Sequence, residues 1–217
     1  MSVKMLTFPT RQEWLDARKN TIGGSDASAV VGMNPYKTNV ALWAENTGLV
    51  IPEDISDKPY VKYGHDAEPL LRELFRLDFP EYQVFYEDNN LFLNEKYPWG
   101  HYSADGWLLD QNGRKGILEI KTTEILQSMQ KEKWNQRIPD NYFVQVLHGL
   151  LILEADFAVL KAQLKTVFDG VPYLQTKHYL IERTEVEEDI EFLQSSESNF
   201  WISVKNNQRP ALILPNF

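Results

Sequence analysis

A chain of 217 residues with ordinary apolar content is long enough to bury a proper core, and we read it as one domain over residues 1–217. Its net charge of −9 sits badly with a broad basic face for polyanions, but net charge speaks to solubility and steering, not to what one cleft holds. Cysteine is absent, which excludes disulfides, thiolate metal sites and cysteine nucleophiles and agrees with a reducing compartment. The longest apolar run, 144–153, is broken by Gln145 and His148 and is too short to span a bilayer. The first residues lack the apolar core and cleavage site of a signal peptide, so the expectation is a cytoplasmic protein without a membrane partner.

Residues 10–19 have helical spacing in Trp14, Leu15 and Arg18, with Thr10 as the cap. Ile22-Gly23-Gly24-Ser25-Asp26 reads as a glycine turn opening a small-residue helix over 27–31, and Asn34-Pro35-Tyr36 as a turn. Thr38 caps a helix through Glu45 that Gly48 ends, and 49–58 is a loop. The span 60–77 predicts a helix with Leu70, Leu71, Leu74 and Phe75 as its apolar stripe, kinked or restarted at Pro69. One or two strands are expected over 83–94, around Asp88-Asn89-Asn90. A strand over 102–109 turns at Asp110-Gln111-Asn112-Gly113 into a returning strand, 115–121. Helix 139–153 buries Phe143, Val146, Leu147, Leu150 and Leu151. Strands 157–164 and 173–181 pair through Phe168-Asp169-Gly170, and an amphipathic helix over 184–205 carries Ile190, Phe192, Leu193, Phe200 and Trp201. The sum is an α/β fold, a central mixed sheet flanked by helices.

The chemistry gathers at Asp105, Glu119 and Lys121, in Ser103-Ala104-Asp105-Gly106-Trp107 and Leu118-Glu119-Ile120-Lys121-Thr122. Side chains alternate along a strand, so Glu119 and Lys121 share a face and the preceding strand can bring Asp105 beside them. An Asp, a turn and then Glu-x-Lys is the pattern of PD-(D/E)xK nucleases with a restriction-endonuclease-like core. Two carboxylates with the Ile120 backbone carbonyl suit Mg²⁺, and Lys121 would orient the attacking water or stabilise developing charge. A hairpin with surface charges is the competing reading, since Glu-x-Lys is common. Against it, Ile117, Leu118 and Ile120 make the strand apolar, and charges there need a partner or a metal.

Further motifs resemble the lambda-exonuclease/YqaJ family of phage-type recombination nucleases, in the family's order over roughly 11–165. They are Arg18 with Ser25 seven residues on, Gly64-His65-Asp66-Ala67-Glu68-Pro69, Ser103-Ala104-Asp105-Gly106, Leu118-Glu119-Ile120-Lys121-Thr122, and Tyr142-Phe143-Val144-Gln145-Val146-Leu147-His148. The resemblance implies a Mg²⁺-dependent 5′→3′ exonuclease on double-stranded DNA ends, with a two-metal site that also accepts Mn²⁺, in the cytoplasm of a bacterial host. It would release mononucleotides, leave 3′ overhangs for a single-strand annealing protein in phage or prophage recombination, and form a ring-shaped trimer. Glu68 would be a further active-site carboxylate, Gln145 would contact the attacking water or the scissile phosphate, and Tyr142 would face the cleft with it.

The resemblance also places Arg18, Ser25 and Ser103 around the 5′-terminal phosphate. A Gly-Gly-Ser turn opening a helix offers free N–H groups to an anion, and arginine adds a planar fork; plain capping is the competing role for Ser25. A solvated helix face is the competing role for Glu68. One departure stands out: the lambda-type enzyme carries an arginine where this chain has Gln127, with Arg137 or Lys131 as the candidates to replace it. His65, His101 and His148 lack zinc spacing and read as structural or peripheral. Of the six tryptophans, Trp134, between Lys133 and Arg137, has the best claim to a base, though tryptophans are more often core.

Two rivals remain at this stage. A structure-specific or nicking endonuclease on the same core would cut closed circles. A catalytically silent DNA-end-binding module would have no need of all three charges.

Overall fold

The computed structural model describes residues 2–215 and divides the strands between two sheets. In chain order the elements begin with β1 (Val3–Thr7), α1 (Arg11–Arg18), β2 (Ile22–Gly23), α2 (Gly24–Val30), α3 (Asn39–Asn46) and α4 (Pro59–Asp78). Next come β3 (Gln83–Phe85), β4 (Asn90–Asn94), β5 (Gly100–Tyr102), β6 (Gly106–Leu109) and β7 (Lys115–Glu124). Then follow α5 (Ser128–Glu132), α6 (Asp140–Leu153), β8 (Phe157–Phe168), β9 (Val171–Glu182) and α7 (Glu187–Lys205). The larger sheet has the order β3-β6-β7-β8-β9, and the smaller β1-β4-β5-β2. Both are mixed: β7 runs parallel to β8 and β2 parallel to β5, while the other pairs are antiparallel.

Local chemistry explains most boundaries. Thr10 and Glu13 form a reciprocal capping box at the start of α1. Thr38 caps α3 through Ala41 N–H. Asp110 folds the β6–β7 turn by accepting from the N–H groups of Asn112 and Arg114. Asp169 and Gly170, both at positive φ, close the β8–β9 hairpin. The parallel β7–β8 pair requires a crossover, and α6 supplies it, burying Val146, Leu147, Leu150 and Leu151 against the sheet. Strand β7 separates two cores. Ile117 faces the larger one with α6, whereas Leu118 and Ile120 face a smaller one with Leu71 and Phe75 of α4.

The structure corrects several details of the sequence reading. The expected strand over 102–109 is two strands in different sheets, broken at Ser103–Asp105, and 83–94 likewise divides between sheets as β3 and β4. Pro69 neither ends nor restarts α4, and the inward face is Leu71, Arg72 and Phe75, with Leu70 and Leu74 turned to solvent. Phe192 is exposed on α7. Trp134 is buried between Tyr142 and Tyr179, so its role is packing and not base stacking. Strand β1 and helix α5 lay outside the sequence expectations.

Deep in the larger core, His148 of α6 and Glu197 of α7 are both fully buried, with Nδ1 2.6 Å from Oε1. Burial pulls the imidazole down, but the Glu197 charge and hydrogen bonds outweigh it, so His148 is held above its ordinary value as an imidazolium. Its Nε2–H donates to the carbonyl of His101, and the indole N–H of Trp99 donates to Glu197. The pair therefore pins α6, α7 and β5 together. Truncation in Glu197→Ala leaves a buried cation uncompensated and should cost about 3–5 kcal/mol in chemical denaturation; a loss under about 1 kcal/mol would contradict this account.

Candidate functional site

Asp105 occupies the break where the chain leaves β5 and enters β6. Its Oδ2 accepts from the N–H of Ile120 at 2.8 Å, which ties the break to the middle of β7. The last β6–β7 pair is Gly106 with Leu118, so beyond it the edge of β7 is free of β6 and Asp105 takes its place. Glu119 is 1% exposed on the α6 side of β7. Three donors from three elements meet it: Lys121 Nζ at 2.7 Å and Gln145 Nε2 at 2.6 Å on Oε1, and the Tyr102 hydroxyl on Oε2. Lys121 also lies 5.3 Å from the centre of the Tyr142 ring.

The electrostatics follow from this crowding. Burial, then the neighbouring charges of Glu119 and Glu68, push the Asp105 carboxyl well above the usual carboxylate range. Burial would lower Lys121, but Glu119 and Asp105 reverse this and hold it above its ordinary value as an ammonium. Burial and the same two carboxylates raise the Tyr102 phenol, which stays protonated and donates.

Close approach to Tyr102 is bought with glycine. A Cβ on Gly24 would lie 3.0 Å from the Tyr102 ring and 3.2 Å from Gln145 Cγ; one on Gly149 of α6 would lie 2.8 Å from the same ring. On the other side of β7, Glu68 of α4 is half-buried and bonded by Arg72 at 3.0 Å. Arg72 is only 4% exposed, stacks 3.3 Å over the Tyr86 ring and donates to the backbone carbonyl of Asp105. It is therefore a strut for Glu68 and the Asp105 break. Burial, then Glu68, raise the Tyr86 phenol to about 12.

Next to this cluster, Arg18 stacks 4.1 Å over the Trp14 ring, and the Trp14 indole N–H reaches Ser103 Oγ at 3.2 Å. Arg18 and Ser103 thus share one wall. Ser25 sits exposed in the first turn of α2, and its hydroxyl makes no hydrogen bond among the described residues. Gln127 caps α5, and Lys131 and Arg137 are exposed, so neither is drawn into the Arg18 wall by a hydrogen bond or ion pair among the described residues. Of the candidates named from sequence, Lys121 and Gln145 meet on Glu119, Asp105 binds the neighbouring Ile120 N–H, Glu68 reaches the Asp105 carbonyl through Arg72, and Arg18 and Ser103 meet at Trp14. Tyr102, Arg72 and Trp14 are not among them, and His101, read as structural or peripheral, hydrogen-bonds Arg18. Tyr102 and His101 carried a signal, since they directly precede the Ser103–Asp105 motif.

The donor set fits a hard cation. Among the described residues no three imidazoles or carboxylates converge on one point, so side chains alone do not form a cage. The oxygens on offer are Asp105, Glu119 and the carbonyl of Ile120, which leaves the strand on the same side as the N–H that Asp105 takes, beyond the end of β6. All are oxygen, as Mg²⁺ prefers, and a divalent ion beside Asp105 would offset both the burial and the Glu119 and Glu68 charges that raise its carboxyl.

The sequence model of the YqaJ-like viral recombinase domain matches residues 13–156. Protein YqaJ of Bacillus subtilis (strain 168) is 31% identical over 205 residues, covering 94% of this chain and 59% of YqaJ, so the chain spans about three fifths of that relative's length. An alkaline exonuclease from Laribacter hongkongensis superposes with a TM-score of 0.64 at 16% identity, over 90% of this chain and 93% of that one. Its complex with dAMP gives 0.65 over the same shares. A phage-related exonuclease from Haemophilus somnus 129PT gives 0.52 at 11% identity, over 86% and 96%. At such identities the shared property is the fold. The match over residues 13–156, with the sequence likeness to YqaJ, places this chain in the YqaJ-like viral recombinase family.

Proposed function

We propose that the chain is a Mg²⁺-dependent exonuclease that enters duplex DNA at its ends, degrades the 5′ strand to mononucleotides and leaves a 3′ overhang. The observation that carries this reading is Asp105, Glu119 and Lys121 at the free edge of β7, with Glu119 buried and Lys121 2.7 Å from it. Family membership and the fold shared with exonucleases support it. When bound, Mg²⁺ (or Mn²⁺), singly or as a pair, supplies an acidified water and charge neutralisation at the scissile phosphate. Asp105, Glu119 and the Ile120 carbonyl would hold it, and Glu68 stands ready as a further carboxylate.

The remaining residues position and neutralise. Tyr102 and Gln145 fix the Glu119 carboxylate from two directions. Lys121 is kept as an ammonium, suited to orienting a nucleophilic water or stabilising developing phosphoryl charge. Arg18 and Ser103, with Ser25 across the turn, would take the 5′-terminal phosphate, and Tyr142 would flank the strand. A ring of three copies and transfer of the overhang to an annealing protein belong to the same proposal.

Digestion of end-labelled linear duplex against covalently closed circles, with Mg²⁺ and with EDTA, tests this directly. The expected result is Mg²⁺-dependent loss of the 5′ label as mononucleotide with circles intact; cut circles would favour an endonuclease, and no cleavage would favour a silent end-binding module. Asp105→Ala, Glu119→Ala and Lys121→Ala should each lower turnover by at least about a hundredfold with the fold retained by circular dichroism. Normal turnover by the lysine variant would sink the mechanism. Tyr102→Phe strips one donor from a buried carboxylate and should cost about 1–3 kcal/mol of stability in EDTA; an unchanged unfolding midpoint would show that its hydroxyl does not hold Glu119.

A further inference from the structure

Behind Arg18 stands a layer of side chains that the reading above leaves unused. His101 of β5 is 2% exposed. Its ring lies against the backbone of Gly23 in the neighbouring strand, where a Cβ would stand 2.9 Å from Nε2. That nitrogen accepts from Arg18 Nε at 3.2 Å. With Nε2 as acceptor, the ring proton is on Nδ1 and goes to Thr21 Oγ1 at 2.8 Å. The Thr21 hydroxyl in turn donates to the backbone carbonyl of Arg18 at 3.2 Å. One imidazole is thus tied to both the side chain and the main chain of the same arginine.

The other contacts complete a clamp. Trp14 covers one face of the guanidinium, and its own N–H is anchored on the carbonyl of Asn90 at 2.9 Å as well as on Ser103. His101 is itself held, because its carbonyl accepts from His148. The two terminal amino groups of Arg18 make no hydrogen bond among the described residues. A guanidinium fixed at Nε and stacked on one face, with both terminal groups unspent, is a preformed fork for a tetrahedral anion.

We propose that His101 is a positioning residue: it takes the Nε–H of Arg18 so that the two terminal amino groups face a 5′-terminal phosphate. This rests on the 5′-end reading above and names the residue that sets its selectivity. Only neutral imidazole can accept there. Burial first, then the charges of Arg18 and His148, lower His101 to about 3, so the accepting form persists throughout the neutral range. Without the acceptor, Arg18 keeps its charge but loses its orientation, and recovers it on binding only at an entropic cost.

The test measures binding in EDTA, where no cleavage intervenes, of duplexes ending in 5′-phosphate or 5′-hydroxyl, by fluorescence anisotropy. The readout is the ratio of the two affinities. Arg18→Ala should erase the preference. His101→Leu should lower the ratio about tenfold, on the scale of one lost charge-assisted hydrogen bond. His101→Gln, which restores an acceptor near the same place, should retain the ratio within about twofold. Loss with Arg18→Ala but not with His101→Leu would overturn the role of His101 and leave the pocket standing. Equal loss in the Gln and Leu variants would also overturn it, since packing and not acceptance would then matter. A preference that survives Arg18→Ala would remove the 5′-end reading, and this inference with it. Because a leucine at a buried position can compromise folding, ¹⁵N spectra of the wild-type protein give an independent check: His101 Nε2 should be unprotonated and the Arg18 Nε–H slow to exchange. A protonated Nε2 would overturn the proposal.

Discussion

Everything near the site depends on burying one carboxylate. Glu119 is 1% exposed in a strand whose neighbours are Leu118 and Ile120, and an unpaired charge there would be prohibitively costly. The chain meets that cost with donors from β5, α6 and β7, so the three elements are mutually fixed by the need to satisfy one group. Asp105 locks the arrangement from the strand edge by accepting from Ile120. A network of this kind is worth most when complete, because each missing donor leaves the others holding an exposed demand for charge. The same geometry would serve the proposed function, since a carboxylate fixed by three donors is oriented in advance for a cation.

Such convergence needs backbone where side chains would normally stand. Gly23 pairs with His101 in the short parallel β2–β5 ladder and Gly24, opening α2, lies against the Tyr102 ring, and each omits a Cβ that would crowd its neighbour. Gly23 admits the imidazole that braces Arg18; Gly24 admits the phenol that donates to Glu119. Five consecutive residues, His101 to Asp105, thereby carry the imidazole bonded to Arg18, the phenol on Glu119, the hydroxyl bonded by Trp14 and the carboxylate on the Ile120 N–H. Displacement of β5 would disturb both halves of the site together, which is why the His148–Glu197 pair beneath His101 belongs to the same unit.

Local signals were legible from sequence where they depend on local geometry. Alternation placed Glu119 and Lys121 on one face, the Asp110–Gly113 turn set the β6–β7 register, and the spacing of α6 identified its buried side. Partner choice across the molecule was not legible. The Ser103–Gly106 stretch marks a break in the 102–109 pattern, but which sheet each side joins is set by distant partners that the local pattern does not name. Arg72 is not among the candidate residues, since its partner at the Asp105 carbonyl lies 33 residues away and its stacking partner Tyr86 lies beyond the end of α4. The stripe on α4 was assigned by hydropathy, but the helix turns Arg72 inward in place of Leu70 and Leu74, a case where satisfying a polar site outranks burying two leucines.

The acidic balance of the chain also reads differently once partners are known. Of the carboxylates crowded into 182–197, Glu182 is paired with Arg114, Glu187 with Arg183, and Glu197 is sealed in the core with His148. Part of the excess is therefore consumed by structure and projects little field. Meanwhile Lys131, Lys133 and Arg137 are exposed in the segment joining the strand that carries Glu119 and Lys121 to the helix that carries Tyr142 and Gln145. Potential near a cleft is set by nearby unpaired charges, because solvent and salt screen the distant ones within about 10 Å. A formal charge of −9 is thus compatible with a site that takes phosphate, provided cations stand at its rim and the acids that remain are either paired or committed to a metal.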